Sequence, residues 1–174
     1  MIISVEKVKS LISFPNWTDE KIEMKLKAVE QTIRAYTNNN FQDRDIRRTA
    51  DIVGGLFIVE ALTPFDPGDT VQISESSLNK GLFTVASADD STFTVEETVK
   101  DENDVLVTKI IYPADVIDCC VNLMEWEVNN RGKVGIKSET LSRHSVTYED
   151  SASMFMGYPA SLLGCLKPYR KARC

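Results

Sequence analysis

The sequence predicts an α+β protein: an antiparallel bundle of about four helices into which a small all-β barrel or sandwich is inserted. Three observations lead there. Apolar residues recur at steps of three and four up to Asn40 and again after Pro113. Between them, from about Arg48, the period falls to two and the composition turns to Val, Ile, Thr and Phe broken by Gly, Pro and Asp. At 174 residues and 43% hydrophobic content, the chain can fill one full core and a small second one. The helical domain is therefore drawn over residues 1–48 and 113–174, and the β module over 49–112.

Ser4 precedes VEKVKSLI and is placed to accept from the first free amides of a short helix with Val5, Val8, Leu11 and Ile12 on its apolar face. Pro15 stops it. Thr18 caps a longer helix, and Trp17 with Ile22 has the spacing of a hydrophobic staple. Ile22, Leu26, Val29, Ile33 and Tyr36 form one stripe, while Glu23 with Lys27 and Glu30 with Arg34 are oriented to support the helix. Asn38, Asn39 and Asn40 end it, because asparagine tolerates the left-handed conformation of a helix terminus.

The β module reads as five or six short strands: Asp51 to Val53, Leu56 to Leu62 after Gly54-Gly55, Thr70 to Ser74, Leu82 to Ala86, Thr92 to Glu96 and Val105 to Tyr112. Turn chemistry separates them, notably Asp66-Pro67-Gly68-Asp69, Asn79-Lys80-Gly81 and Asp89-Asp90-Ser91. Pro113 then restarts helix at a position where its missing amide costs nothing. Val116, Ile117, Cys120, Val121, Met124 and Val128 make a broad stripe that packs on the Trp17 to Asn38 helix. Gly135 to Tyr148, GIKSETLSRHSVTY, is polar, too irregular for helix or strand, and able to lie extended. Gly157-Tyr158-Pro159 opens a last helix carrying Leu162, Leu163 and Leu166, limited by Pro168.

The composition excludes several chemistries. His144 is the only histidine, which removes most zinc and serine-triad designs. Cys119, Cys120, Cys165 and Cys174 have no CxxC spacing and read as small hydrophobes in a reducing compartment. Neither GxxxxGK[ST] nor GxGxxG is present. The acidic turns at Asp89-Asp90 and Asp101 to Asp104 lack calcium-loop spacing and are read as turn residues. No catalytic residue, metal ligand or cofactor site is predicted. A formal charge of −6 argues against a sequence-independent grip on nucleic acid, although Lys167, Arg170, Lys171 and Arg173 cluster at the end. No run of about 18 apolar residues reads as a membrane span, and MIISVEKVKSLIS is unlike a signal peptide.

Three stretches together carry a resemblance. VEKVKSLISFPNWTDEKIEMKLKAVEQTIRAYTNNNF, FDPGDTVQISESSLNKGLFTV and GIKSETLSRHSVTYEDSASMFMGYPASLLGCLKPYRK are similar, in this order, to the head-tail connector (head-completion adaptor) proteins of tailed bacteriophages and prophages. The resemblance implies a non-enzymatic structural protein of the virion neck, made in the host bacterial cytoplasm. It implies a ring of copies, commonly twelve, between the portal protein and a tail-completion or stopper protein. Such a ring extends a channel through which DNA passes without specific binding, and no membrane is involved. Polarity combined with regular apolar anchors makes two segments the expected assembly contacts: Ile136, Ser138, Glu139, Leu141, Ser145, Val146 and Tyr148 in the polar strip, and Tyr158, Lys167, Tyr169, Arg170 and Lys171 in the tail. A nucleic-acid-binding accessory module built on the small barrel is the alternative reading, with a small hydrolase more distant.

Overall fold

The structure is a computed structural model that describes residues 1–130, 138–141, 144–147 and 154–172. The chain divides into two compact units, Met1–Asn39 with Pro113–Cys174, and Asn40–Tyr112.

The second unit is a closed six-stranded antiparallel barrel: β1 (Gln42–Val53), β2 (Leu56–Val59), β3 (Thr70–Ser74), β4 (Gly81–Ala88), β5 (Thr92–Val95) and β6 (Glu102–Ile110). The strands run β1-β2-β5-β4-β3-β6 and close on themselves. Gly54 and Gly55, at φ +60° and +84°, form the two-residue turn between β1 and β2, with Val53 opposite Leu56. Both central positions of such a turn need positive φ, which only glycine takes without strain. Alternation sends Ala50, Ile52, Phe57, Val59, Val71, Ile73, Val105 and Val107 inward. Phe93 stacks on Phe57 at a centroid distance of 4.5 Å and meets Phe65 edge-on at 5.1 Å. These three rings are the largest side chains in a core otherwise made of Val, Ile and Ala.

β1 starts at Gln42, ahead of the point near Arg48 where the period changes. Its first half, QDRDIRR, is too polar to show a buried face and is half-buried or exposed throughout. What makes it a strand is pairing with β6, from Gln42 opposite Ile110 to Ile52 opposite Glu102, with two register irregularities on the way. Such irregularities let a strand bend around a closing sheet.

In the first unit, α1 (Val5–Leu11) is capped by Ser4, whose Oγ accepts from the amide of Lys7 at 3.2 Å. α2 (Asp19–Thr37) is capped by Thr18, accepting from Lys21 at 3.3 Å, and ends on Asn38 in the left-handed region. Ile22, Leu26, Val29 and Ile33 are fully buried, each contributing about 1.5–3 kcal/mol of transfer free energy. α3 (Ala114–Asn130) packs on α2. Its buried positions are Val116, Cys119, Cys120, Leu123, Met124 and Glu127. The stripe is therefore rotated toward Cys119, Leu123 and Glu127, leaving Ile117, Val121 and Val128 half-buried.

The expected helical bundle with an inserted barrel is corrected by this arrangement. The closed six-stranded barrel is a principal element of the fold, and the helices among the described residues are three α-helices and one short 3-10 helix. α1 has only two turns. The closing segment, expected to be a helix from Tyr158 onward, instead contains the two-residue strands β9 (Met154–Phe155) and β10 (Tyr158–Pro159) and a 3-10 helix over Gly164–Tyr169. Pro168 inside that segment has no amide to donate and its ring opposes α geometry. The turns tighten to i→i+3 bonds, Leu166 N to Leu163 O at 3.1 Å and Arg170 N to Lys167 O at 3.3 Å.

The polar strip also differs from expectation. Ser138–Leu141 (β7) and His144–Thr147 (β8) form an antiparallel hairpin rather than an irregular loop. Ser138, Glu139, His144 and Ser145 dilute the β signal that Thr140, Val146 and Thr147 give.

Candidate assembly surface

The tail segment is fixed to α2 and α3 by a set of polar ties. Glu127, 2% exposed, lies on α3 where a leucine would satisfy the periodicity. One of its carboxylate oxygens accepts the Tyr158 hydroxyl at 2.7 Å, and the other is 3.2 Å from Lys25 Nζ on α2. Trp126 meets the Tyr158 ring edge-on at 5.4 Å. At the other end of the segment, Tyr169 donates to both oxygens of Asp115 at 2.6 and 2.7 Å, and that bond, with Asp115 charge, holds its phenol above the usual range. Asn38 and Asn39 donate their side-chain amides to the carbonyls of Ala172 and Tyr169 at 2.9 and 3.3 Å, and the Lys171 amide donates to Thr37 O at 2.8 Å. Leu163 and Leu166 are buried between these ties.

The ties build a basic, aromatic corner. The Arg170 guanidinium lies over the Tyr36 ring at 5.3 Å, and Phe155 meets the same ring edge-on at 5.6 Å. Tyr36, Asn38, Phe155, Met156, Arg170 and Lys171 line a concavity of about 230 Å³. Phe155 and Met156 remain 51% and 46% exposed. Met156 and Gly157, at φ +52° and +83°, form the two-residue turn that pairs Phe155 with Tyr158. Holding a methionine in the left-handed region costs about 1 kcal/mol. That turn keeps two large apolar side chains at the surface beside two cations.

The predicted contacts fall into three groups. Lys167, Arg170 and Lys171 are exposed, and the last two share the corner. Tyr158 is buried and Tyr169 half-buried with its hydroxyl engaged, so both act as internal ties. Ser138, Glu139, Leu141, Ser145 and Val146 lie in the β7–β8 hairpin, with Glu139 opposite Val146 and Leu141 opposite His144; Ile136 and Tyr148 lie outside the described residues. Sequence reasoning missed Tyr36, Phe155 and Met156. The signal available for the last two is Gly157 between Met156 and Tyr158-Pro159, since Gly and Pro this close together mark a turn.

Two cysteines near this segment are held protonated at neutral pH. Burial raises the Cys119 thiol well above its usual value and pushes Cys120 up to about 12. Cys119 and Cys165 both donate to the Leu162 carbonyl, at 3.4 and 3.3 Å. A thiol kept in that form is a weak nucleophile. Among the described residues no three His, Cys, Asp or Glu side chains converge as metal ligands, and no helix is long and apolar enough to cross a membrane. No protein-family model and no curated protein matches the chain.

Proposed function

We propose that the chain is a structural protein of a phage or prophage virion neck, a ring-forming adaptor between portal and tail that completes the head and extends the DNA channel. Its partners in this reading are copies of itself, the portal protein and a tail-completion or stopper protein. Its place is the virion neck, after synthesis in the host cytoplasm. The observation that carries the reading is the preformed corner of Phe155, Met156, Arg170 and Lys171, whose apolar side chains stay exposed while buried ties fix the backbone beneath them. A site built for chemistry directs polar groups into a closed cleft; an open corner of aromatic, methionine and arginine side chains is the composition of a protein-binding surface. The order of the three motifs that resemble connector proteins supplies the identity of the particle.

The barrel unit carries fourteen Asp and Glu against six Lys and Arg, a formal charge of −8. That excess opposes phosphate contacts, and Phe57, Phe65 and Phe93 are buried in the core instead of forming a stacking platform. Both features suit a wall past which DNA slides and disfavour the nucleic-acid-binding alternative.

The test is complementation. Particles from a phage or induced prophage lacking this gene should accumulate as DNA-filled, tailless heads, and adding the purified chain should restore tail joining. The triple variant Phe155→Ser, Arg170→Glu, Lys171→Glu should fold normally and fail to restore it. Normal particles without the gene would refute the assignment, and full rescue by the triple variant would refute the corner.

A further inference from the structure

We infer that the β7–β8 hairpin adds edge to edge to the same hairpin of a neighbouring copy, so that assembled copies share one continuous antiparallel sheet; this rests on the assembly role proposed above. Among the described residues, β7 and β8 pair only with each other and make a sheet of two strands. The barrel closes on itself and has no free edge. The β9–β10 hairpin carries Pro159, which cannot donate to another strand. Only two residues separate Leu141 from His144, so this pair closes the hairpin by exchanging both backbone bonds. Alternation along the ladder makes Glu139 and Val146 the next bonded pair. The amides and carbonyls of Ser138 and Thr140 then face out along one edge, and those of Ser145 and Thr147 along the other.

SETL and HSVT hold neither proline nor lysine, and the one acid, Glu139, belongs to the pair with Val146 rather than to the outward-facing Ser138, Thr140, Ser145 and Thr147. Natural edge strands are commonly protected by proline and charged side chains. A two-stranded hairpin is also marginally stable by itself and gains from added strands. The occupant is a second copy because the two edges run antiparallel. When β8 of one copy lies against β7 of the next, Ser145 comes level with the neighbour's Thr140, and Thr147 with its Ser138. The contact is heterologous, so each copy gives one edge and receives another, and a closed ring satisfies them all. An unrelated strand would cap one edge and leave the other open. Two strands add roughly 10 Å per copy. Twelve copies would make a belt about 115 Å around, with more strands than the barrels of about 16–18 that already leave an aqueous channel.

Single variants Thr140→Pro and Ser145→Pro remove one outward amide each and leave the bonds of Leu141, His144, Glu139 and Val146 in place. Thr140→Ala and Ser145→Ala keep the amide and control for the side chain. Sedimentation velocity on the full chain should show oligomers for the parent and the alanine variants. The proline variants should need more than tenfold higher concentration to associate, with tryptophan fluorescence and melting unchanged. Amide exchange on the assembled parent gives a second readout: the Thr140 and Ser145 amides slow on assembly. Oligomers of proline variants at parental concentrations, or unchanged exchange at these amides, would overturn the shared sheet while leaving the adaptor role standing. A parent chain that stays monomeric at its highest soluble concentration would overturn the self-pairing, and missing tails would remain the separate test of the adaptor role.

Discussion

Removing the Tyr158 hydroxyl tests whether the tail segment is held by the buried Glu127 carboxylate. In the Tyr158→Phe variant, ring packing against Trp126 persists, and the 2.7 Å bond to Glu127 is removed. A bond to a charged acceptor contributes about 1.5–3 kcal/mol, and the low exposure of Glu127 places this one in the upper half. Lys25→Met should cost more, about 3 kcal/mol, because it removes a counter-charge from a carboxylate whose side chain is 1% exposed. The Lys25 side chain is itself 30% exposed, which keeps the value at the lower end of the range for buried pairs. Trp17 and Trp126 are the only tryptophans, and both belong to the helical unit. Fluorescence-detected urea unfolding therefore reports that unit directly. With a slope of roughly 2 kcal/mol per molar urea, Tyr158→Phe should lower the midpoint by roughly 1.1–1.5 M. The double variant should lose less than the sum of the singles, since both partners act on one carboxylate. A midpoint within about 0.2 M of the parent for Tyr158→Phe would refute the account.

Two further outcomes concern the barrel. Phe57→Ala removes a fully buried ring stacked on Phe93 and should cost about 3–5 kcal/mol in the β transition followed by far-UV circular dichroism; a loss below about 1.5 kcal/mol would mean that the core collapses around the gap. Glu102 accepts from Ser76 Oγ and the Ser77 amide at 2.6 Å, with further bonds from Leu78 and Asn79, and these lower its pKa from 4.5. A lowered folded pKa means stabilisation that is full above the unfolded value and is lost as pH falls through the folded one. The melting temperature of the parent should therefore exceed that of Glu102→Gln at neutral pH, and the gap should close below pH 4.5; a gap independent of pH would show that the carboxylate charge plays no part.

The local signals were legible because they act over a few residues. Ser4 and Thr18 cap helices, Asn38 takes the left-handed conformation, and Gly54-Gly55 turns a hairpin, each for reasons contained in its own neighbourhood. The stripe of Ile22, Leu26, Val29 and Ile33 is buried as its spacing requires. Of the residues that line the corner, the sequence singled out Arg170 and Lys171, because exposed charge is a property of residue type.

Other features were decided only when distant segments met. Glu127 reads as a solvated acid until Tyr158 and Lys25 arrive to desolvate and satisfy it. QDRDIRR becomes a strand because β6 offers it a ladder, and the barrel closes because β1 has partners on both sides. Phe155 and Met156 gain their place at the surface from a turn pinned by its neighbours, since a methionine at φ +52° persists only where surrounding contacts hold it. Backbone hydrogen bonds and desolvation are properties of pairs. Residue order determines which groups seek partners, and the tertiary structure determines which ones meet.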